Sequence, residues 1–332
     1  MNILLTGGTG YVGSHVAVTL TKACHRVILF DNFSNSHKGV LENLNKILNK
    51  PLSFIEGDIR NTELLSMILR EWRIDAVIHL AGLKAVGQSV TDPIDYYSNN
   101  VQGSVSLLQA MKAENVKTLI FSSSATVYGV PQYLPLDERH PLNPTNPYGR
   151  TKLHIEEMLR DFAGSDPALK VICLRYFNPI GAHESGLIGE QPLGLPNNLM
   201  PYLVMVANGE LPRLNIYGCD YPTPDGTGIR DYIHVMDLAE GHLAALNFAK
   251  NHFGCDVFNL GTGIRTSVYE LISSFEKATG RHIPFEKVER RNGDIAACYT
   301  EVDKAKNILN WQASKSLNDM CLSSWAYQKT EK

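Results

Sequence analysis

The chain has 332 residues, 31 of them basic and 34 acidic, for a formal net charge of −3. That length can bury a large core and ordinarily divides into two lobes. With no basic run, the balanced charge excludes a nucleic-acid or membrane-surface role built on a basic patch.

In chain order, short apolar runs alternate with longer amphipathic stretches, the pattern of strand-helix units feeding a parallel sheet. Strands are predicted at residues 3–6, 26–31, 53–56, 76–80, 118–122 and 170–176. Helices are predicted at 11–23, 62–72, 95–114 and 148–162. The expected fold is α/β: a Rossmann-type, doubly wound parallel sheet with helices on both faces, joined to a smaller mixed α/β lobe. After Tyr176, Gly and Pro thicken at residues 178–181, at Pro192, Gly194 and Pro196, and at 221–228. Such stretches in a compact chain read as binding loops, since they lack the monotony of a tether. Further helices are expected at 198–207, 235–248, 267–279 and 317–327, and a strand at 257–260. The lobes are placed at 1–177 and 178–332, with 230–255 returning to the first.

The six cysteines (Cys24, Cys173, Cys219, Cys255, Cys298 and Cys321) form no Cys-x-x-Cys pair and no His/Cys cluster, so no metal site is expected. No signal-like segment opens the chain and no apolar run is long enough to span a bilayer, so the expectation is a soluble cytoplasmic protein without a membrane partner.

Gly7, Gly10 and Gly13 follow the first predicted strand and open the first helix. In that context the first glycine permits a tight turn, the second lets backbone approach a pyrophosphate, and the third lets helix pack on strand; the helix N-terminus then faces the phosphate charge. Asp31 ends the second strand, where a carboxylate accepts both ribose hydroxyls and repels a 2′-phosphate. NAD is therefore expected over NADP. The competing reading of Asp31 is a turn cap with Asn32 and Ser34. Asp58, ending the third strand, could meet the adenine amino group, and Ala81, Gly82 and Lys84 end the fourth beside the pyrophosphate.

Tyr148 and Lys152 are one helical turn apart, which puts phenol and ammonium on one face. The positive charge would favour phenolate and lower the tyrosine pKa toward working pH. Lys152 could also donate to the nicotinamide ribose. Ser124, at the end of the fifth strand, can hydrogen-bond a reacting oxygen and complete a short proton path. These residues point to reversible redox chemistry.

The glycine turn, the Tyr/Lys pair and segments 6–15, 81–87, 122–129, 174–179, 196–201 and 225–237 resemble the extended short-chain dehydrogenase/reductase family, from Met1 to about Trp325. Within it the chain is similar to the branch that inverts UDP-sugars at C4. The loops 82–87 and 225–235 carry that closer likeness. The resemblance implies an NAD site that also includes Tyr11, Val12, Asn32, Asn35, Ser36, Ile59, Leu80, Asn99 and Phe177, with Ser124, Tyr148 and Lys152 at its reactive end. It implies a UDP-sugar held by Asn178, Asn198, Leu199, the segment Asn215, Ile216 and Tyr217, Arg230, and residues 291–294 with Arg291 and Asp294. Lys84, Ser124 and Tyr148 would touch both molecules. Arg230 and Arg291 supply planar forks suited to phosphate. Sugar-nucleotide dehydratases of the family carry an Asp-Glu pair after the strand-end Ser/Thr; Ala125 and Thr126 stand there instead and cannot do that proton work. A UDP-GlcNAc 4-epimerase, a 4,6-dehydratase, a net dehydrogenase or a non-catalytic NAD-binding regulator are the alternatives. Cys298 falls where the family faces the sugar with a bulky Tyr or a smaller residue. A small side chain implies room for a 2-acetamido group, unless Tyr299 refills the space. A homodimer joined through 95–114 and 148–162 as a four-helix bundle is also implied.

Overall fold

The computed structural model describes residues 1–191, 196, 198–291 and 293–330. Pro192, Gly194 and Asn197 of the expected binding loops, and the residue between Arg291 and Gly293, lie outside the described residues.

Strands β1 (Asn2–Thr6), β2 (Arg26–Asp31), β3 (Ser53–Glu56), β4 (Ala76–His79), β5 (Thr118–Ser124) and β6 (Lys170–Tyr176) form one sheet. All its pairings are parallel, in the order β10-β6-β5-β4-β1-β2-β3, where β10 (Gly254–Leu260) comes from late in the chain. The strands are continuously apolar because both faces are covered. Successive side chains alternate between two cores: Ile3 and Leu5 of β1, Val27 and Leu29 of β2, and Ile172 and Leu174 of β6 enter one. Leu4, Ile28, Phe30, Val171 and Cys173 enter the other.

Helix α1 (Tyr11–Lys22), with α2 (Gly39–Leu48) beside it, covers the first face. On the second face α3 (Thr62–Glu71), α6 (Gly103–Ala113) and α7 (Pro147–Gly164) bury Leu65, Ile68, Leu107, Met111, Ile155 and Leu159. Asn61 starts α3 and Asn146 starts α7, each accepting from a backbone N–H of the first turn. The helix expected at 95–114 is present but changes its winding part-way. Short helices α4 (Val86–Thr91) and α5 (Pro93–Tyr96) precede a π-helical turn, Tyr97–Gln102, and α6 follows. Asn100 in that turn explains the widening: its side chain bonds both backbone N–H and C=O of Leu83, at 2.8 and 3.0 Å, and the Thr151 hydroxyl at 3.2 Å.

Beyond β6 the expected irregular stretch contains more structure than its Gly/Pro content suggests. β7 (Asn178–Ile180), β9 (Ile229–His234), β11 (Arg265–Ser267) and β13 (Ala297–Cys298) make a small mixed sheet, and β8 (Leu214–Tyr217) pairs with β12 (Phe285–Val288). Helices α8 (Leu199–Ala207), α10 (Val268–Thr279) and α12 (Leu317–Thr330) pack with them around Leu203, Ile216, Leu271, Phe275 and Trp325. Helix α9 (Val235–Ala249) lies against α1, and α11 (Asp303–Ile308) lies against β10. No helix among the described residues is long and apolar enough to cross a membrane.

Candidate active site

The strand order reverses between β1 and β4: β2 and β3 extend the sheet one way from there, β5 and β6 the other. Open α/β sheets bind ligands at that switch, beyond the carboxyl ends of the strands. Here it opens into a groove of about 1580 Å³ running from the β1–α1 turn into the smaller lobe. That is more room than one drug-sized ligand needs.

The glycines at its nucleotide end have distinct jobs. Gly7 has φ +70°, and a Cβ on it would lie 2.7 Å from Ala81 N. A Cβ on Gly13 would lie 2.0 Å from Gly7 O, so this position seats α1 on the turn. A Cβ on Gly10 would meet only Gly7 O, at 3.3 Å, so its free side faces the groove. No side chain caps the N-terminus of α1, which leaves first-turn N–H groups for an anion. Asp31 accepts from the N–H of Thr9 at 3.1 Å and of Phe33 at 3.0 Å, so it caps its turn while still lining the groove. Tyr11, Val12, Asn32, Asn35, Ser36, Ile59, Leu80, Ala81, Gly82, Lys84, Asn99 and Phe177 line it too. Asp58 does not: Arg60 grips its carboxylate through Nε and Nη2, at 2.9 and 2.6 Å, and lowers its pKa. Gly57 and Ile59, on either side of Asp58, flank the groove.

At the reactive end Ser124, Tyr148 and Lys152 converge from β5 and α7. Lys152 is 4 % exposed and donates to Ser122 O at 2.7 Å; its Nζ is 5.9 Å from the centre of the Tyr148 ring. Burial pulls the ammonium down to about 8, with the Glu156 charge acting the other way. Burial also pushes the Tyr148 phenol up to about 12, only partly countered by a hydrogen bond with Ser124. The lowering of Tyr148 expected from Lys152 is not among the causes that set this direction. Taking a phenolate out of water outweighs an ammonium that is itself desolvated and bonded elsewhere. The Ser124 hydroxyl is oriented by Thr126, whose N–H and Oγ1 both reach it, at 3.2 and 3.0 Å.

In the smaller lobe Asn178, Asn198, Leu199, Asn215, Ile216, Tyr217, Arg230, Arg291 and Asp294 all border the groove. Ile216 turns its side chain into the lobe core, so only its backbone is on offer. Arg291 stacks 3.7 Å from the Tyr217 ring centre, and Arg230 donates to Ile229 O and Ile295 O with Asp294 4.0 Å away. Cys298 does not line the groove. It packs behind the wall with Val127, Tyr128, Leu136 and Phe177, and burial raises its thiol to about 11. In the pairing of β13 with β9 its partner is Arg230, which borders the groove. Glu190 was missed by the sequence reading. It lines the groove, pairs with Lys84 at 3.0 Å and accepts from Asn198 at 2.8 Å, and it stands in a Gly/Pro-rich stretch without periodicity. Among the described residues no cluster of His, Cys, Asp or Glu could hold a metal ion.

The sequence pattern of the NAD dependent epimerase/dehydratase family matches residues 3–261. The chain belongs to that family. It is 51% identical over 330 residues to the UDP-glucose 4-epimerase of Bacillus subtilis, covering 99% of this chain and 97% of that one. The UDP-glucose 4-epimerase of Bifidobacterium longum, solved with NAD+ and UDP, superposes with a TM-score of 0.96 at 49% identity, covering 99% and 98% of the two chains. The enzyme of the same name from Stenotrophomonas maltophila, solved with NAD and formylated UDP-arabinopyranose, gives 0.98 at 46% identity over 100% and 98%. NAD is the family's cofactor, and the open face of Gly10, the uncapped α1 N-terminus and Asp31 fit it.

Proposed function

We propose that the chain is a UDP-glucose 4-epimerase that interconverts UDP-galactose and UDP-glucose, oxidising C4 of the sugar to a ketone and reducing it again on the opposite face. The observation that carries this reading is one groove joining a dinucleotide cradle, the Ser124–Tyr148–Lys152 group and the Arg230/Arg291 pair. Ala125 and Thr126 stand where elimination would need an acid and a base, and Thr126 is occupied in orienting Ser124. NAD, when bound at the α1 cradle, would supply the hydride acceptor for C4 and the hydride source for its reduction. Tyr148, hydrogen-bonded by Ser124, takes the 4-OH proton as C4 becomes a carbonyl and gives it back as the carbinol re-forms. The Lys152 ammonium favours the phenolate during that interval. Arg230 and Arg291 hold the diphosphate end firmly while the sugar turns, so binding strength is spent away from the reacting carbon.

The same reading extends to acetamido sugars through Cys298. Phe177 lines the groove and packs on Cys298, so a larger residue there would push the wall toward the sugar. We also read the chain as a cytoplasmic homodimer joined through 95–114 and 148–162; a sedimentation mass of one chain at micromolar concentration would contradict the dimer.

The deciding experiment incubates the purified protein with UDP-galactose and no added NAD, then separates the products. UDP-glucose is expected; a released keto sugar or an unsaturated product would redirect the assignment to a dehydrogenase or a dehydratase. Turnover of UDP-N-acetylgalactosamine should fall further in Cys298→Tyr than turnover of UDP-galactose. Equal losses on the two sugars would remove the role given to position 298.

A further inference from the structure

Behind the catalytic group, on the side away from the groove, lies a buried polar network that the reaction described above does not use. Glu156 of α7 is 1 % exposed and Arg175 of β6 is 2 % exposed. Arg175 binds both Glu156 oxygens, through Nε at 3.0 Å and Nη2 at 2.6 Å, and its Nη1 donates to the Tyr128 hydroxyl at 3.0 Å. Tyr128 in turn donates to Asn259 of β10 at 2.6 Å. The Ser123 hydroxyl donates to Glu156 as well.

Three of the partners are next in sequence to, or one helical turn from, residues that line the groove. Ser123 precedes Ser124, Glu156 is one turn beyond Lys152, and Arg175 precedes the groove-lining Tyr176 and Phe177. Lys152 binds Ser122 O, so α7 is pegged to β5 at two successive residues just before Ser124. A buried ion pair is a weak source of stability, because well-packed apolar side chains commonly do as well. The location of this one favours a different use. We infer that Glu156 is a positioning residue for the reaction: clamped by Arg175 and Ser123, it fixes the catalytic face of α7 against the end of β5 and sets its negative charge behind Lys152.

The inference rests on the epimerase reading, but its test separates from that reading because wild-type turnover is measured alongside. The Lys152 ammonium faces Tyr148 and Glu156 from its own helix, His79 from β4, and the Phe121 ring and Ser122 carbonyl from β5. Arg175 faces Glu156 from β6. Burial holds His79 neutral, down to about 3, which leaves Glu156 as the charge supporting the ammonium. Its removal lowers the Lys152 pKa further, so the ammonium is lost at lower pH.

Glu156→Gln and Ser123→Ala are compared with wild type by kcat, KM, NAD content and the pH profile of kcat. Glu156→Gln should lose about tenfold or more in kcat, as expected for a misplaced catalytic group, with KM and NAD content little changed. Its alkaline limb should move to lower pH. Ser123→Ala, which keeps both charges, should lose kcat several-fold with the limb unmoved. Wild-type kcat in either variant overturns the inference, as does a Glu156→Gln loss with an unmoved alkaline limb. If Glu156→Gln does not fold, Ser123→Ala decides alone, with wild-type kcat against the inference and a kcat-only loss in its favour.

Discussion

Tyr148 shows how far residue spacing reaches. Its helical interval to Lys152 placed phenol and ammonium in one site, because that interval is local geometry. The balance between burial and charge depends on what encloses both side chains, and the enclosure sends the phenol up to about 12. Replacing Tyr148 with Phe should cut kcat by about 10²–10⁴-fold, the usual worth of a positioned acid-base group, without releasing NAD. Single-turnover absorbance of the bound nicotinamide checks this, and a variant at wild-type rate would exclude Tyr148 as the base. The surroundings of Asp58 and Cys298 were hidden for a related reason. The partner of Asp58 is only two residues away, and nothing in the spacing says that Arg60 folds back onto it. The partners of Cys298 arrive from distant parts of the chain.

At the scale of elements, the strands of the nucleotide lobe were legible because both-face burial writes a continuous apolar run. The strands of the smaller lobe were not, since β7, β11 and β13 are only two or three residues long and lie among glycines and prolines. The π-helical turn was equally hidden, because it follows from a side chain, Asn100, bonding across to Leu83. Two elements support direct tests. Gly13→Ala would place a methyl 2.0 Å from Gly7 O, so α1 must lift from the turn; loss of bound NAD in a protein whose circular dichroism is near wild type is the expected result. Helix α10 begins with a capping box: Ser267 Oγ accepts from the Glu270 N–H at 3.1 Å, and the Glu270 carboxylate accepts from the Ser267 N–H at 2.7 Å. Ser267→Ala should cost about 1 kcal/mol of stability by urea unfolding, while Tyr148-dependent chemistry is spared.

For the whole molecule, buried histidines set the acid limit. Burial lowers His15 and His79 to about 3, and His234 and His242 to about 4. In the unfolded chain they titrate near 6.5, so between that value and about 4 the unfolded state binds more protons than the folded one. Stability therefore falls as pH falls through that window, by up to about 1.4 kcal/mol per pH unit for each such group. Urea midpoints at pH 7 and pH 5 should differ accordingly; equal midpoints would show that these imidazoles charge without cost.

The route of the chain between the lobes has a consequence for protein engineering. After β6 it leaves the large sheet, returns through α9 against α1 and β10 at the sheet edge, leaves again, and returns once more through α11 against β10. Grafting the smaller lobe of a relative onto this larger one thus requires five junctions, near residues 177, 234, 260, 302 and 313, where a single crossover would suffice for two beads on a string. A chimera spliced only at the first would strip the β6 edge of its native partner and expose an apolar strand to foreign chains. Recombination libraries that respect every cut should yield soluble hybrids; those that respect one should yield aggregates.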